Sequence, residues 1–206
     1  TTLQIPKQGI GEWCHPLHTV DINDAGLRSS VQNGILNTEL GIPFRTPAEG
    51  HNVAFTSLWD NYPDSLEIPL KGKASRAYLL MAGSTNHMQC HIDNGVIRIY
   101  YKDGTRDVMF LRNPDNWPPI EHIFFEDGLA FNRHTPALYR LRLKTGEISN
   151  NFGEELGFPG ASRELDGGAA VLLEMPLNPG KKLSHLVLET LSNDVVIGLM
   201  SITLQR

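Results

Sequence analysis

Nowhere along this chain do apolar residues recur at the 3.6-residue spacing, with caps at either end, that a helix of a dozen residues needs, which excludes a helical fold. A basic stripe is missing too. Lys and Arg number 18 against 23 Asp and Glu, the formal net charge is −5, and no run of like charge exceeds a few residues. Binding to a phosphate backbone is therefore not expected. The strongest apolar stretch near a terminus, Val195 to Met200, is far shorter than the roughly 20 residues of a membrane span, so a soluble chain is expected. Cysteine is scarce. Cys14 and Cys90 make neither a metal nor a redox motif, and read as two buried thiols or, in an oxidising compartment, as a bridge. The start, Thr1 to Trp13, lacks both an initiator Met and a basic region with an apolar core, and is expected to be a processed or truncated beginning.

What the chain does have is short alternating stretches between turn residues, with 40% hydrophobic content, enough for one substantial core. Residues 1 to 40 are rich in breakers and read as a loop-rich arm packed on a sandwich at 41–206. Gly41 to Phe44 and Asn52 to Ser57 read as opening strands. Leu66, Ile68 and Leu70 alternate with Glu67 and Pro69, which predicts an edge strand, because proline lacks a ladder donor. Ala77 to Ala82 has no polar interruption and predicts a central strand buried on both faces. Lys102-Asp103-Gly104-Thr105 predicts a tight hairpin turn. Ile97, Ile99 and Tyr101 share one face of its first strand, and Val108 and Phe110 one face of the second, so the hairpin can bury one side. Asn113 to Arg133 reads as a long loop with a short strand, and Tyr139, Leu141 and Leu143 as a half-exposed strand alternating with Arg140 and Arg142. Ser149 to Gly168 reads as a mobile excursion. Ala169 to Met175, Leu183 to Leu191 and Val195 to Leu204 close the chain as three strands. The sum is an all-β sandwich.

The segments FTSLWDNYPDSLEIPLKGKASRAYLLMAGSTNHM, IYYKDGTRD, LRNPDNWPPIEH and NDVVIGLMSITL resemble the C-terminal module of large bacterial proteins related to six-hairpin glycosidases. In that family a galactose-binding-like jelly roll is attached to an α/α barrel. The resemblance covers most of residues 42 to 204. It implies a β-sandwich of jelly-roll type, a saccharide-processing context, a periplasmic or secreted parent protein and a neighbouring catalytic domain. The expected function is that of a noncatalytic accessory module, which binds an oligosaccharide or polysaccharide or buttresses the catalytic domain. A small stand-alone glycoside hydrolase and a purely structural interaction module are the alternatives.

Glycoside hydrolysis needs two carboxyl groups facing each other across the scissile bond, and nothing in the local pattern opposes Asp60, Asp64 and Glu67 in that way. Ser84, His87 and Asp93 can be collected into a triad, but a triad is defined by geometry. No catalytic residue is assigned. Gly9-Ile10-Gly11 and Gly167-Gly168 lack the following helix that would hold a phosphate. Cys14-His15-Pro16-Leu17-His18 has no second cluster to complete a closed zinc site, so no metal ligand set is assigned. No cofactor is expected; a structural calcium would suit such loops, although no local ligand code marks one. The candidate carbohydrate contacts are Trp59, Tyr62 and Trp117, whose rings could cover the apolar side of a sugar, with Asp60, Asn61, Asn86 and His87 as hydrogen-bonding partners. Core packing is the competing role for Trp59.

Overall fold

A computed structural model describes residues 21–59, 62–86, 88–124, 132–151 and 162–206. One short helix, α1 (Ala25–Ser29), comes first. β1 (Val31–Gln32), β2 (Ile35–Asn37) and β3 (Pro43–Arg45) then form a small antiparallel sheet. The strands that follow are β4 (Ala54–Thr56), β5 (Ser65–Pro69), β6 (Arg76–Met81), β7 (Ser84–Thr85), β8 (Gly95–Tyr101) and β9 (Arg106–Leu111). After them come β10 (His122–Phe124), β11 (Arg140–Arg142), β12 (Ile148–Ser149), β13 (Ser162–Glu164), β14 (Ala169–Pro176), β15 (Leu183–Thr190) and β16 (Val195–Gln205). The larger sheet runs β12-β11-β14-β6-β16-β4, with β7 also paired to β16; the second runs β5-β15-β8-β9. All pairings between these strands are antiparallel, so the protein is an all-β domain of several antiparallel sheets.

The uninterrupted apolar run of β6 has a direct cause. Ala77, Leu79 and Met81 point into a core shared with Ile97, Ile99, Leu186 and Leu188 of the four-stranded sheet. Leu80 and Ala82 point the other way, into a second cluster with Leu27 of α1, Leu36 of β2 and Phe44 of β3. With both faces covered, alternation of apolar and polar residues cannot appear. Each fully buried leucine here contributes roughly 1.5–3 kcal/mol relative to exposure. β14 and β16 follow the same rule, Val171, Leu173, Ile197 and Leu199 facing one cluster and Leu172, Val196 and Met200 the other. A hydroxyl pair, Thr56 to Thr190 at 2.8 Å, also ties the two sheets together inside the protein. Where β4 pairs with β16, a Cβ on Gly198 would stand 2.3 Å from the Ala82 carbonyl oxygen and 2.6 Å from the Phe55 ring. Only glycine lets these backbones approach so closely.

The edge strand around Pro69 is β5, at one margin of the four-stranded sheet. The hairpin at Asp103-Gly104 joins β8 and β9, and Gly104 takes the left-handed conformation with φ of 84°. Asp103 accepts from the Thr105 hydroxyl and backbone N–H and pairs with Lys181 at 2.9 Å, which together hold its carboxyl down to about 2. Val108 and Phe110 do not lie on the buried side of the hairpin. The turn sets Ile97 opposite Met109 and Arg98 opposite Val108, so Met109 and Leu111 face inward and Val108 and Phe110 face solvent. A one-residue difference in register exchanges the faces of a strand. Part of the segment expected to be an excursion is strand, since β13 pairs with β10, while 152–161 lie outside the described residues.

Beside the hairpin turn, the buried Tyr101 hydroxyl donates to Asp107 and accepts the Asn178 N–H at 2.8 Å. Burial first, and then the bond to Asp107, push its phenol up to about 12. The folded state therefore keeps a proton that the unfolded chain releases above pH ~10. Stability from this group is complete below pH ~10 and is lost as pH rises toward ~12. Alkaline denaturant titrations of wild type and Tyr101→Phe should show the excess loss only in the wild type.

Candidate functional site

The chain turns sharply after β4: Ser57 N–H donates to the Pro63 carbonyl at 3.1 Å and Tyr62 N–H to the Trp59 carbonyl at 3.0 Å. This turn brings Trp59 and Tyr62 together, ring centroids 6.5 Å apart, with Phe55 edge-on to Tyr62 at 6.0 Å. Trp59 is only 7% exposed and belongs to the outer core cluster. Tyr62 is half-buried, and burial raises its phenol pKa. Asp60, Asn61 and His87 lie outside the described residues. Asn86 is a turn residue whose side-chain oxygen accepts the Met88 N–H at 2.9 Å.

Trp117 has no exposed surface and lies in the cluster between the two large sheets, under Gly83. It is thus on the opposite face of the seven-stranded sheet from Trp59, and the two rings cannot share a platform. Sugar stacking needs an open ring face. Trp117 offers none and Trp59 almost none, so in this structure both act as packing residues. Of the Ser84, His87 and Asp93 set, the two described members are engaged elsewhere: Ser84 is buried with its hydroxyl 3.4 Å from Glu121, and Asp93 pairs with Arg112 at 2.6 Å.

Alternation with Leu141 predicts Arg140 on the exposed side of its half-exposed strand. It is buried, because the β11 face opposite Leu141 is roofed by the segment 119–122. Its guanidinium donates to the carbonyls of His122 (2.7 Å), Pro119 (2.7 Å), Ile120 (3.1 Å) and Ala169 (3.3 Å). Burial lowers its pKa to about 10, opposed by the field of the buried Glu121 carboxylate, so it stays charged at neutral pH. Alternation along β11 could locate the residue on a face but not reveal a later segment folding over it.

Two further features come from tertiary contact alone. A shallow groove of about 450 Å³ beside β4 and β16 has Arg45, His51 and Asn52 around a floor that includes Leu199 and Met200. At one end of the four-stranded sheet, His91, Asp115 and His134 bring their ligand-type atoms within 4.8 Å of one another. No short spacing in the sequence announces either, because their members come from separate loops and strands.

Arg140→Ala should cost about 3–5 kcal/mol in denaturant unfolding, since it strips a buried charge and four carbonyls of their partner. Arg140→Lys should recover only part of this, because an ammonium cannot fan out to all four oxygens. Trp59→Ala should cost about 3–5 kcal/mol, the loss of a packed aromatic; a fully stable Trp59→Ala protein would contradict the packing role.

Compared with known proteins, the chain matches no family model, no curated protein and no solved structure.

Proposed function

We propose that this chain is a noncatalytic accessory β-sandwich module of a periplasmic or secreted glycosidase-like protein, and that it buttresses a neighbouring domain through the open face of its four-stranded sheet. The jelly-roll reading is supported by the chain path. It passes from the larger sheet (β4) to the smaller (β5), back to β6 and on to β8, and repeats the exchange through β14, β15 and β16.

The observation that carries the buttressing role is the exposure of Val108 (42%) and Phe110 (41%) on the solvent face of β9. β9 is an edge strand with one unpaired side, and two large apolar residues displayed at alternate positions beside it favour a protein partner over water. Around them stand Arg106, the Arg98 to Glu189 ion pair, and the Arg112 guanidinium 5.5 Å from the Phe110 ring. An apolar centre bordered by charge has the composition of a protein interface.

A second reading, direct contact with an oligosaccharide or polysaccharide, is favoured by the groove beside β4. Polar groups from Arg45, His51 and Asn52 over an apolar floor suit the two faces of a sugar ring.

The test is a calorimetric titration of this chain against the segment adjoining it in its gene, and in parallel against plant and host glycans. A one-to-one complex with that segment, weakened at least about tenfold in Phe110→Ser with the fold retained, is expected for the buttressing role. No association, or association indifferent to Phe110→Ser, overturns it. Heat from a glycan that disappears in Arg45→Ala would establish the second reading in its place.

A further inference from the structure

We infer that His91, Asp115 and His134 form a binding site for a first-row transition-metal dication such as Zn²⁺. This rests on a different part of the surface and is independent of the buttressing role. Two imidazoles and one carboxylate converge. His91 Nδ1 lies 3.9 Å from Asp115 Oδ2, His134 Nδ1 lies 3.4 Å from Asp115 Oδ1, and the two imidazole centroids are 4.7 Å apart. Zinc with bonds of about 2.0–2.1 Å at tetrahedral angles places its ligand atoms about 3.3 Å apart. The widest separation here, up to 4.8 Å, exceeds that by about 1.5 Å, a difference that rotation of the His134 ring can close. That ring is 64% exposed, so solvent and not packed side chains borders most of it.

The backbone around these side chains is held in place. His91 adopts a left-handed conformation, φ of 56°, which a residue with a Cβ seldom takes, and its N–H donates to the Asn113 carbonyl at 2.7 Å. Backbone outliers of this kind gather at ligand sites. Asp115, largely buried, is oriented from the other side: its Oδ1 accepts the His134 N–H at 2.7 Å and its carbonyl accepts the Thr135 hydroxyl at 2.6 Å. A carboxylate fixed by hydrogen bonds beside two imidazoles is the arrangement that supports a bound metal.

The donor set decides the class of ion. Two nitrogen ligands suit Zn²⁺, Co²⁺, Ni²⁺ or Fe²⁺, whereas Ca²⁺ and Mg²⁺ require oxygen on nearly every side. Three protein ligands also leave a coordination position for water or for an oxygen of a partner molecule. The ion would tie the loop before β8, the loop after β9 and the approach to β11 to one another.

The test uses the full chain stripped with a chelator, followed by Co²⁺ titration read from d–d absorption and Zn²⁺ titration read by calorimetry. One equivalent should bind, and His134→Ala and His91→Ala should each weaken binding at least about tenfold, as loss of one of three ligands requires. His134 is exposed, so the melting temperature of metal-free His134→Ala should equal that of the metal-free wild type, while the rise on adding Zn²⁺ disappears. The assignment is overturned by no uptake, by uptake unchanged in His134→Ala and His91→Ala, by uptake lost only when His15 and His18 are replaced, or by displacement of Co²⁺ with equimolar Ca²⁺.

Discussion

The constraint on which this structure depends is that its seven-stranded sheet is apolar on both faces and must be covered twice. The four-stranded sheet covers one face with Ile97, Ile99, Leu186 and Leu188. α1 and the small β1-β2-β3 sheet cover the other with Leu27, Leu36 and Phe44. Neither cover can be removed without exposing a continuous apolar surface. Two glycines mark close approaches around this sheet: Gly198 beside its ladder partner Phe55 and the Ala82 carbonyl, and Gly83 above Trp117. The same layering separates Trp59 from Trp117, one packed in each interior.

Against this apolar frame, the buried guanidinium of Arg140 is the main polar commitment. Four carbonyls from two stretches of chain, 119–122 and Ala169, converge on it, and that of Ile120 also accepts the Ala169 N–H at 2.7 Å. It fixes the path of residues 119–122, and thereby the segment that runs back through Trp117 to Asp115. A charge placed inside for structural reasons thus holds the backbone a few residues beyond the largely buried Asp115 carboxylate. The two features are linked through the backbone, although their side chains do different things.

The surface divides into parts of different chemical character. β9 shows apolar residues at an unpaired sheet edge, the β4 margin shows polar groups over an apolar floor, and the loop end of the smaller sheet gathers two imidazoles and a carboxylate. Sheets supply the rigid frame and loops carry the varied chemistry. A protein partner, a saccharide and a metal ion would each be matched to one of these parts, and none needs to disturb the layers beneath.

Local pattern determined a good deal by itself. The run Ala77 to Ala82 announces burial on both faces, Pro69 announces an edge, and Asp103-Gly104 announces a hairpin, because each property is imposed by the residue or its immediate neighbours. Other features were decided only in three dimensions. Whether Val108 or Met109 faces the core depended on register across the turn, which alternation along one strand cannot set. Arg140 looked like an exposed residue until a distant segment folded over it, and the tryptophans looked like a sugar platform until the sheet came between them. His91, Asp115 and His134 carry no spacing signal, since they meet only where separate loops converge at one end of the sheet. Sequence pattern records what a residue needs from its surroundings, whereas a site depends on which distant residues supply those surroundings, and that is settled by the packing of the layers.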